Sequence, residues 1–272
     1  MAQGLCVTVI TRNEQERIQD CLESIAWAEE IVVVDAESTD RTVEIARKFT
    51  EKVFVRPWVG FAAQKNFALA QATQPWVLSL DADEQVTPEL QEQIQAVLQA
   101  DGPLEGYHLR RKNIFLGRWI RHSAWFPDNQ LRLFRRGTGS FRAVSVHEAA
   151  EVKGKLGHLT GCLRHLSYRG ICDFVDRSNF YSSLAAQDLI RRGRSISWLD
   201  LLLRPFGRFL SMYLLRRGFL DGRHGFLLAL LYSYYIFLRS AKAWVTSWEK
   251  GFTPLETVAK GDTDRAVGGD LI

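Results

Sequence analysis

Acidic residues recur at one kind of place in the first hundred residues of this 272-residue sequence, directly after short apolar runs. Residues 5–10 (LCVTVI) are followed by Thr11-Arg12-Asn13-Glu14, and residues 31–34 (IVVV) by Asp35-Ala36-Glu37-Ser38-Thr39-Asp40. Residues 76–80 (WVLSL) are followed by Asp81-Ala82-Asp83-Glu84. Asn, Ser, Thr and Asp at such places also cap helices, a duty that explains Asn13 and Ser38-Thr39-Asp40 equally well. Asp81 and Asp83 are different, because the next helix already has its own start at Thr87-Pro88. Two carboxylates one residue apart on a turn present hard oxygen donors to a divalent cation, which can hold phosphate oxygens that a bare acidic edge repels. A lone Asp-x-Asp is common by chance, and it gains weight here from its place behind a buried strand, with Asp35 ending another.

These residues need a scaffold that brings strand ends together. The apolar runs at 5–10, 31–34, 53–55 and 76–80 are nearly continuous, as in parallel strands covered on both faces. Helical periodicity fills the gaps. Ile18, Cys21, Leu22 and Ile25 share one face, with Asn13 and Glu16 spaced as a capping box. A second helix is expected after Ser38 or Thr39, a third over 61–72, and a fourth from Thr87-Pro88 carrying Leu90, Ile94, Val97 and Leu98. The alternation predicts an α/β doubly wound sheet, which binds ligands outside the carboxyl ends of its strands. After Asp101-Gly102-Pro103 strand-like alternation appears at 106–115 and 130–135, and helices take over from Ile171 through 190, 198–215 and 220–248. The expected division is residues 1–165, an Arg-rich amphipathic helical region over 166–250, and a loosely ordered tail over 251–272.

With 46% hydrophobic and 24% charged residues, the chain is neither disordered nor low-complexity. Its net charge of +4 is unevenly spread: from Arg164 to Arg223 there are eleven arginines, no lysine and five aspartates. These arginines interleave with Trp198, Leu201, Phe206, Phe209, Tyr213 and Leu214, as in helices lying on anionic lipid. The plainer reading is a helical subdomain that packs its apolar stripe inward and leaves the arginines solvated. No nucleic-acid recognition motif accompanies the basic block, so nucleic acid is not an expected partner. The longest apolar run, residues 226–238 interrupted by Ser233, falls short of the roughly 20 residues of a membrane span. Residues 5–10 are too short for the apolar core of a secretion leader, so none is expected. Four cysteines without CxxC spacing point to a reducing compartment and no structural zinc. Phosphate-cradling glycine loops and the Gly-x-Ser-x-Gly elbow are missing from the sequence.

Over about residues 5–150 the sequence resembles the family 2 glycosyltransferases of GT-A fold, a Rossmann-like mixed sheet that binds nucleotide-diphospho-sugars. The resemblance lies in Thr11-Arg12-Asn13-Glu14, in Val34-Asp35 with Ser38 and Asp40, and in Asp81-Ala82-Asp83. More narrowly, Gln64-Lys65-Asn66, Leu80-Asp81-Ala82-Asp83-Glu84, Leu131-Arg132-Leu133-Phe134 and Val146-His147-Glu148 resemble a bacterial lipopolysaccharide-core β-glucosyltransferase-like group. Gly218-Phe219-Leu220-Asp221-Gly222 and the apolar stretch after it resemble that group's carboxyl-terminal region.

The resemblance implies that Thr11, Asn13, Glu14 and Asp35 line the donor site, with Asp35 accepting the imide N–H of uracil. It implies that Asp81 faces ribose and metal, and that Asp83 ligates Mg2+ or Mn2+. Lys65 either neutralises the diphosphate, sits near the base, or is a solvated helix lysine. An inverting transfer needs a general base for the acceptor hydroxyl. Glu148 has the right type and region, Asp128 competes, and either can instead pair with Arg132 or Arg142; the family's more common acidic pair is here His147-Glu148. The expected activity is hexosyl transfer, glucose from UDP-glucose, onto a glycolipid or lipid-linked saccharide such as lipopolysaccharide core. The expected location is the cytoplasm, peripheral at the inner face of the cytoplasmic membrane. The rivals are a nucleotidyltransferase acting on a sugar phosphate and a non-catalytic membrane adaptor on the same scaffold.

Overall fold

A computed structural model describes residues 3–100, 102–144 and 147–249. Four parallel strands open the chain: β1 (Leu5–Thr11), β2 (Glu30–Asp35), β3 (Val53–Val55) and β4 (Trp76–Asp81). Helices α1 (Ile18–Glu23), α2 (Thr42–Ala46) and α3 (Phe61–Gln71) connect them, and α4 (Pro88–Gln99) follows. Both faces of β1 are covered, which is why its residues need not alternate with polar ones. Leu5, Val7 and Val9 pack with Ile18, Leu22, Leu90 and Ile94, while Cys6 and Ile10 pack with Ala68, Ala72 and Phe141. The start of α4 is as expected: Thr87 Oγ1 accepts the Leu90 N–H ahead of Pro88.

The start of α1 is not as expected. Asn13 and Glu16 do not box the helix, which begins at Ile18 without a side-chain cap. Asn13 instead sits at φ 52° and its Oδ1 accepts the Thr39 N–H at 2.8 Å, while its own N–H donates to Ser38 Oγ. A cross-loop partner has displaced the local one. The result ties the loop after β1 to the loop after β2.

The later strands turn the sheet mixed. β5 (Glu84–Val86), β6 (Gly106–Phe115), β7 (Arg118–Trp119), β8 (Asp128–Arg135) and β11 (Leu156–Leu166) join it, in the order β3-β2-β1-β4-β8-β6-β11-β5, with β7 on the end of β6. β9 (Gly139–Val144) and β10 (His147–Val152) form a separate antiparallel hairpin. β8 runs antiparallel to β4, pairing Leu133 with Leu78 and Arg135 with Trp76. β11 carries two glycines, Gly157 and Gly161. A Cβ on Gly161 would stand 2.6 Å from the Leu90 backbone, so this glycine lets α4 lie against the strand.

The chain divides into two compact units. One takes the residues up to Asn113 with Pro127–Leu166, and the other takes Ile114–Phe126 with the residues from Ser167 on. The second unit holds α5 (Ile171–Arg191), α6 (Trp198–Leu210) and α7 (Gly222–Glu249), with a π-helical turn at Ser211–Leu215 and a 3-10 turn at Gly218–Asp221. Segment 114–126 is built into it by aromatic contacts, Phe115 with Tyr168 and Trp125 with Tyr232. Buried Asp221 clamps the same segment, accepting the backbone N–H of His122 at 2.9 Å and of Arg121 at 3.3 Å. Among the described residues no helix is long and apolar enough to cross a membrane. The tail expected over 251–272 lies outside the described residues.

At the opposite edge of the sheet from the acid-bearing strand ends, buried Glu30 accepts from Lys52 Nζ, from the Thr73 N–H at 2.8 Å and from the Thr73 hydroxyl at 3.0 Å. Burial pushes its carboxyl up, but the Lys52 and Thr73 hydrogen bonds outweigh that and bring it down to about 2. A depressed carboxyl stabilises the fold fully above its unfolded value near 4.5, and that contribution disappears as pH falls through about 2. Glu30→Gln is therefore expected to lower the melting temperature at pH 7, with the gap from wild type closing progressively below pH 4.5. Paired thermal melts across that range check it, and a gap that widened on acidification would refute the assignment.

Candidate active site

Register places the predicted acids. Thr11 pairs with Asp35 on one side of β1 and Ile10 pairs with Asp81 on the other, so both acids emerge at the carboxyl edge two strand spacings, about 10 Å, apart. Asp83 follows in the turn between β4 and β5. Thr11 ends β1 with a buried hydroxyl that has no hydrogen-bond partner among the described residues. Buried Glu14 donates its backbone N–H to Thr42 Oγ1 at 2.8 Å, and its carboxylate lies 4.0 Å from Arg17. Asp35 is fully buried and accepts from the Ser38 N–H at 2.7 Å and from the Ser38 hydroxyl. Burial pushes its carboxyl up, with the Ser38 hydrogen bonds only partly opposing.

The edge is not bare acid. Asp81 is gripped by Lys65 Nζ at 2.9 Å on Oδ1 and by Arg132 Nη2 at 2.6 Å on Oδ2. Burial alone would raise its carboxyl, but the Arg132 charge and then Lys65 more than reverse this and hold it far below the usual range. Arg132 also donates to Glu84 Oε1 at 3.0 Å, and Glu84 Oε2 accepts the Asp81 N–H at 3.0 Å. Arg111 reaches the same Glu84 oxygen at 3.5 Å and donates from Nε to Asp128 at 2.8 Å. Burial dominates at Glu84 and keeps its carboxyl raised. Lys65 is thus no solvated helix lysine: it is 1% exposed, 5.3 Å from the Phe141 ring, and committed to Asp81.

Asp128 sits in the same network. Its Oδ2 accepts from Arg111 and from Asn113 Nδ2 at 3.1 Å, and its Oδ1 accepts from Gln130 Nε2 at 2.7 Å. Burial raises its carboxyl, yet the Arg111 charge and these hydrogen bonds leave it below the usual range, which makes it a weak proton acceptor. Glu148 lies in β10 opposite Ala143, and its side chain is outside the described residues, as is that of His147.

Asp83 is held differently. Its Oδ2 lies 3.5 Å from His165 Nε2 and 3.8 Å from Arg17 Nη1, and it is buried without a hydrogen bond of normal length among the described residues. Burial raises this carboxyl, but His165 outweighs it and the net direction is down. Asn113 gives its amide N–H to Asp128, so its Oδ1 faces His165 Nδ1 at 2.6 Å and fixes a proton there. Nε2 is then the ring atom turned to Asp83, carrying a proton as imidazolium or offering a lone pair to a cation between them. No group of three His, Cys, Asp or Glu among the described residues converges as a ready-made cage. What fits a divalent cation is this pair, a buried carboxylate oxygen short of hydrogen bonds and an imidazole nitrogen, beside the quarter-exposed Asp81 side chain.

Sequence reasoning missed His165, Arg17, Arg111 and Asn113, gave Glu84 no role, and offered Arg132 as a partner for Glu148 or Asp128 where it holds Asp81 and Glu84. Signals existed for two of them. Arg132 interrupts an apolar run that is otherwise a buried strand, and His165 stands between Arg164 and Leu166 in β11, in register with Glu84.

A mixed sheet with paired acids at its carboxyl edge defines a GT-A-type fold. A family model described as Glycosyl transferase family 2 matches residues 6–151. An uncharacterized glycosyltransferase of Rickettsia typhi is 34% identical over 246 residues, 86% of this chain and 84% of that one. The lipopolysaccharide core biosynthesis glycosyltransferase LpsC of Rhizobium meliloti is 31% identical over 250 residues, 88% of this chain and 91% of that one. Among solved structures, S. aureus TarS 1–349 aligns with 98% of this chain and 100% of its own at 17% identity and a TM-score of 0.47. The chain belongs to glycosyltransferase family 2.

Removing Arg132 would leave Asp81 and Glu84 facing each other without their shared cation. Arg132→Leu is expected to cost about 3–5 kcal/mol in urea unfolding. Adding Glu84→Gln to that variant should recover part of the loss, whereas strict additivity of the two changes would show that the bridge carries no coupling.

Proposed function

We propose that this family 2 enzyme is an inverting hexosyltransferase that moves glucose from UDP-glucose onto a membrane-held glycolipid of the lipopolysaccharide-core type. The observation that carries the reading is the arrangement at the sheet edge: Asp35 and Asp81 flank the end of β1, with the hydrogen-bond-poor Asp83 oxygen beside Asp81. In this reading Asp35 accepts the uracil imide N–H, Thr11 supplies a spare hydroxyl, and Asn13 and Glu14 hold the loop that shapes the donor pocket. Asp81, kept ionised by Lys65 and Arg132, accepts from ribose hydroxyls. Asp83 and His165 would hold Mg2+ or Mn2+, which when bound supplies positive charge for the departing diphosphate. Arg17, Lys65, Arg111 and Arg132 neutralise most of the surrounding carboxylates, so a diphosphate meets little net repulsion.

The acceptor oxygen attacks the anomeric carbon opposite the leaving UDP, and a base takes its proton. We assign that base to Glu148, because both oxygens of Asp128 already accept hydrogen bonds and its carboxyl is depressed. The glycolipid acceptor and a location at the inner face of the cytoplasmic membrane draw support from the likeness to LpsC.

Purified protein with Mg2+ or Mn2+, screened against a panel of nucleotide sugars, is expected to release UDP from UDP-glucose. Asp83→Ala should lower that release by roughly 100-fold or more. Release of pyrophosphate from UTP and a sugar 1-phosphate, with no UDP released from any nucleotide sugar, would favour the nucleotidyltransferase, and absence of turnover with every donor and with UTP plus sugar 1-phosphate would favour the adaptor.

A further inference from the structure

In the helical unit, α6 is well anchored yet turns most of its apolar side chains outward. A capping box joins Ser197 and Asp200 at its start, Arg204 pairs with Asp200, and Ser233 of α7 donates to the Pro205 carbonyl at 2.7 Å. Pro205 is buried. On the other side, Trp198, Leu202, Leu203 and Phe206 are each between 59% and 66% exposed, and Leu215 of the following turn is 80% exposed. A firmly docked helix does not leave such a ridge in water without a partner for it.

The charges around the ridge say which partner. Arg191, Arg192 and Arg194 precede it and Arg216 and Arg217 follow it, all exposed. The acid within it, Asp200, is consumed by Ser197 and Arg204. Two further arginines stand half-buried: Arg208 lies 5.4 Å from the Tyr232 ring, and Arg239 of α7 has a buried Nε without a hydrogen-bond partner among the described residues. Arg194 and Arg208 both act on Arg239, so positive charge is concentrated where burial already disfavours it. That arrangement suits a phosphate. Guanidinium groups beside aliphatic and aromatic side chains match the boundary between phospholipid headgroups and acyl chains.

We propose that the ridge of Trp198, Leu202, Leu203, Phe206 and Leu215 inserts into the surface of an anionic phospholipid bilayer, with Arg208 and Arg239 taking headgroup phosphates. This rests on the reading above only in that the acceptor is membrane-held, and its test needs neither donor nor acceptor. The full-length protein is sedimented with phosphatidylcholine vesicles with and without phosphatidylglycerol, at low and high salt. Binding is expected to vesicles containing phosphatidylglycerol, about tenfold or more weaker to pure phosphatidylcholine, and reduced by salt. Leu202→Glu with Phe206→Glu should abolish it with the melting temperature unchanged, since both side chains are solvent-exposed. Arg239→Gln should weaken binding to the anionic vesicles and leave the residual binding to phosphatidylcholine unchanged. Failure to bind anionic vesicles, or equal binding by the Leu202→Glu, Phe206→Glu variant, would overturn the proposal. So would a stable dimer in solution that Phe206→Glu converts to monomer, which would make the ridge a protein interface. Vesicle binding by a protein that cleaves no UDP-sugar would sink the proposed reaction and leave this surface standing.

Discussion

Arg132 is the side chain on which the site's charge arrangement depends. One guanidinium reaches Asp81 at the end of β4 and Glu84 at the start of β5, and so joins two strands that turn sharply between them. Acids packed this closely can stay ionised in a buried setting only if cations are packed with them. Lys65 from α3, Arg111 from β6 and Arg17 from the segment before α1 complete the set, each arriving from a different element. The sheet order is what makes this possible, because β8 lies antiparallel beside β4 and brings Arg132, while β6, on the far side of β8, brings Arg111.

Within this network the acids separate into kinds. Asp81 and Asp128 are surrounded by cationic donors and held ionised, Glu84 is dominated by burial, and the inner oxygen of Asp83 meets its cationic neighbours only at 3.5 and 3.8 Å. The division follows from position. Asp128 and Asp81 lie within reach of arginines on neighbouring strands, whereas Asp83 is in a turn, where Arg17 and His165 approach it at longer distance.

The regular part of the fold was readable from residue pattern. Continuous apolar runs gave the parallel strands, and Thr87-Pro88 gave the start of α4 at the right residue. Less readable were elements whose sequence serves long-range contacts. β11 contains Gly161 because α4 passes close by, and Asn13 serves Thr39 and Ser38 in place of its own helix. In the site, the acids announced themselves by following apolar runs, but their cations did not, since Arg17, Arg111 and Arg132 are at least 21 residues from one another and meet only through the fold. A lone arginine or histidine in a strand has no local feature that names its partner.

The clamp by Asp221 bears on how the chain can be cut. The helical unit is assembled from two stretches far apart in sequence, and Ile114–Phe126 depends on a carboxylate about a hundred residues downstream for two of its backbone N–H groups. A fragment ending after β11 therefore retains Phe115 and Trp125 but loses Tyr168, Tyr232 and Asp221, the groups that cover and anchor them. Such a fragment keeps every residue of the acid edge and still carries a sticky, untethered loop, so its solubility is no measure of whether the sheet has folded.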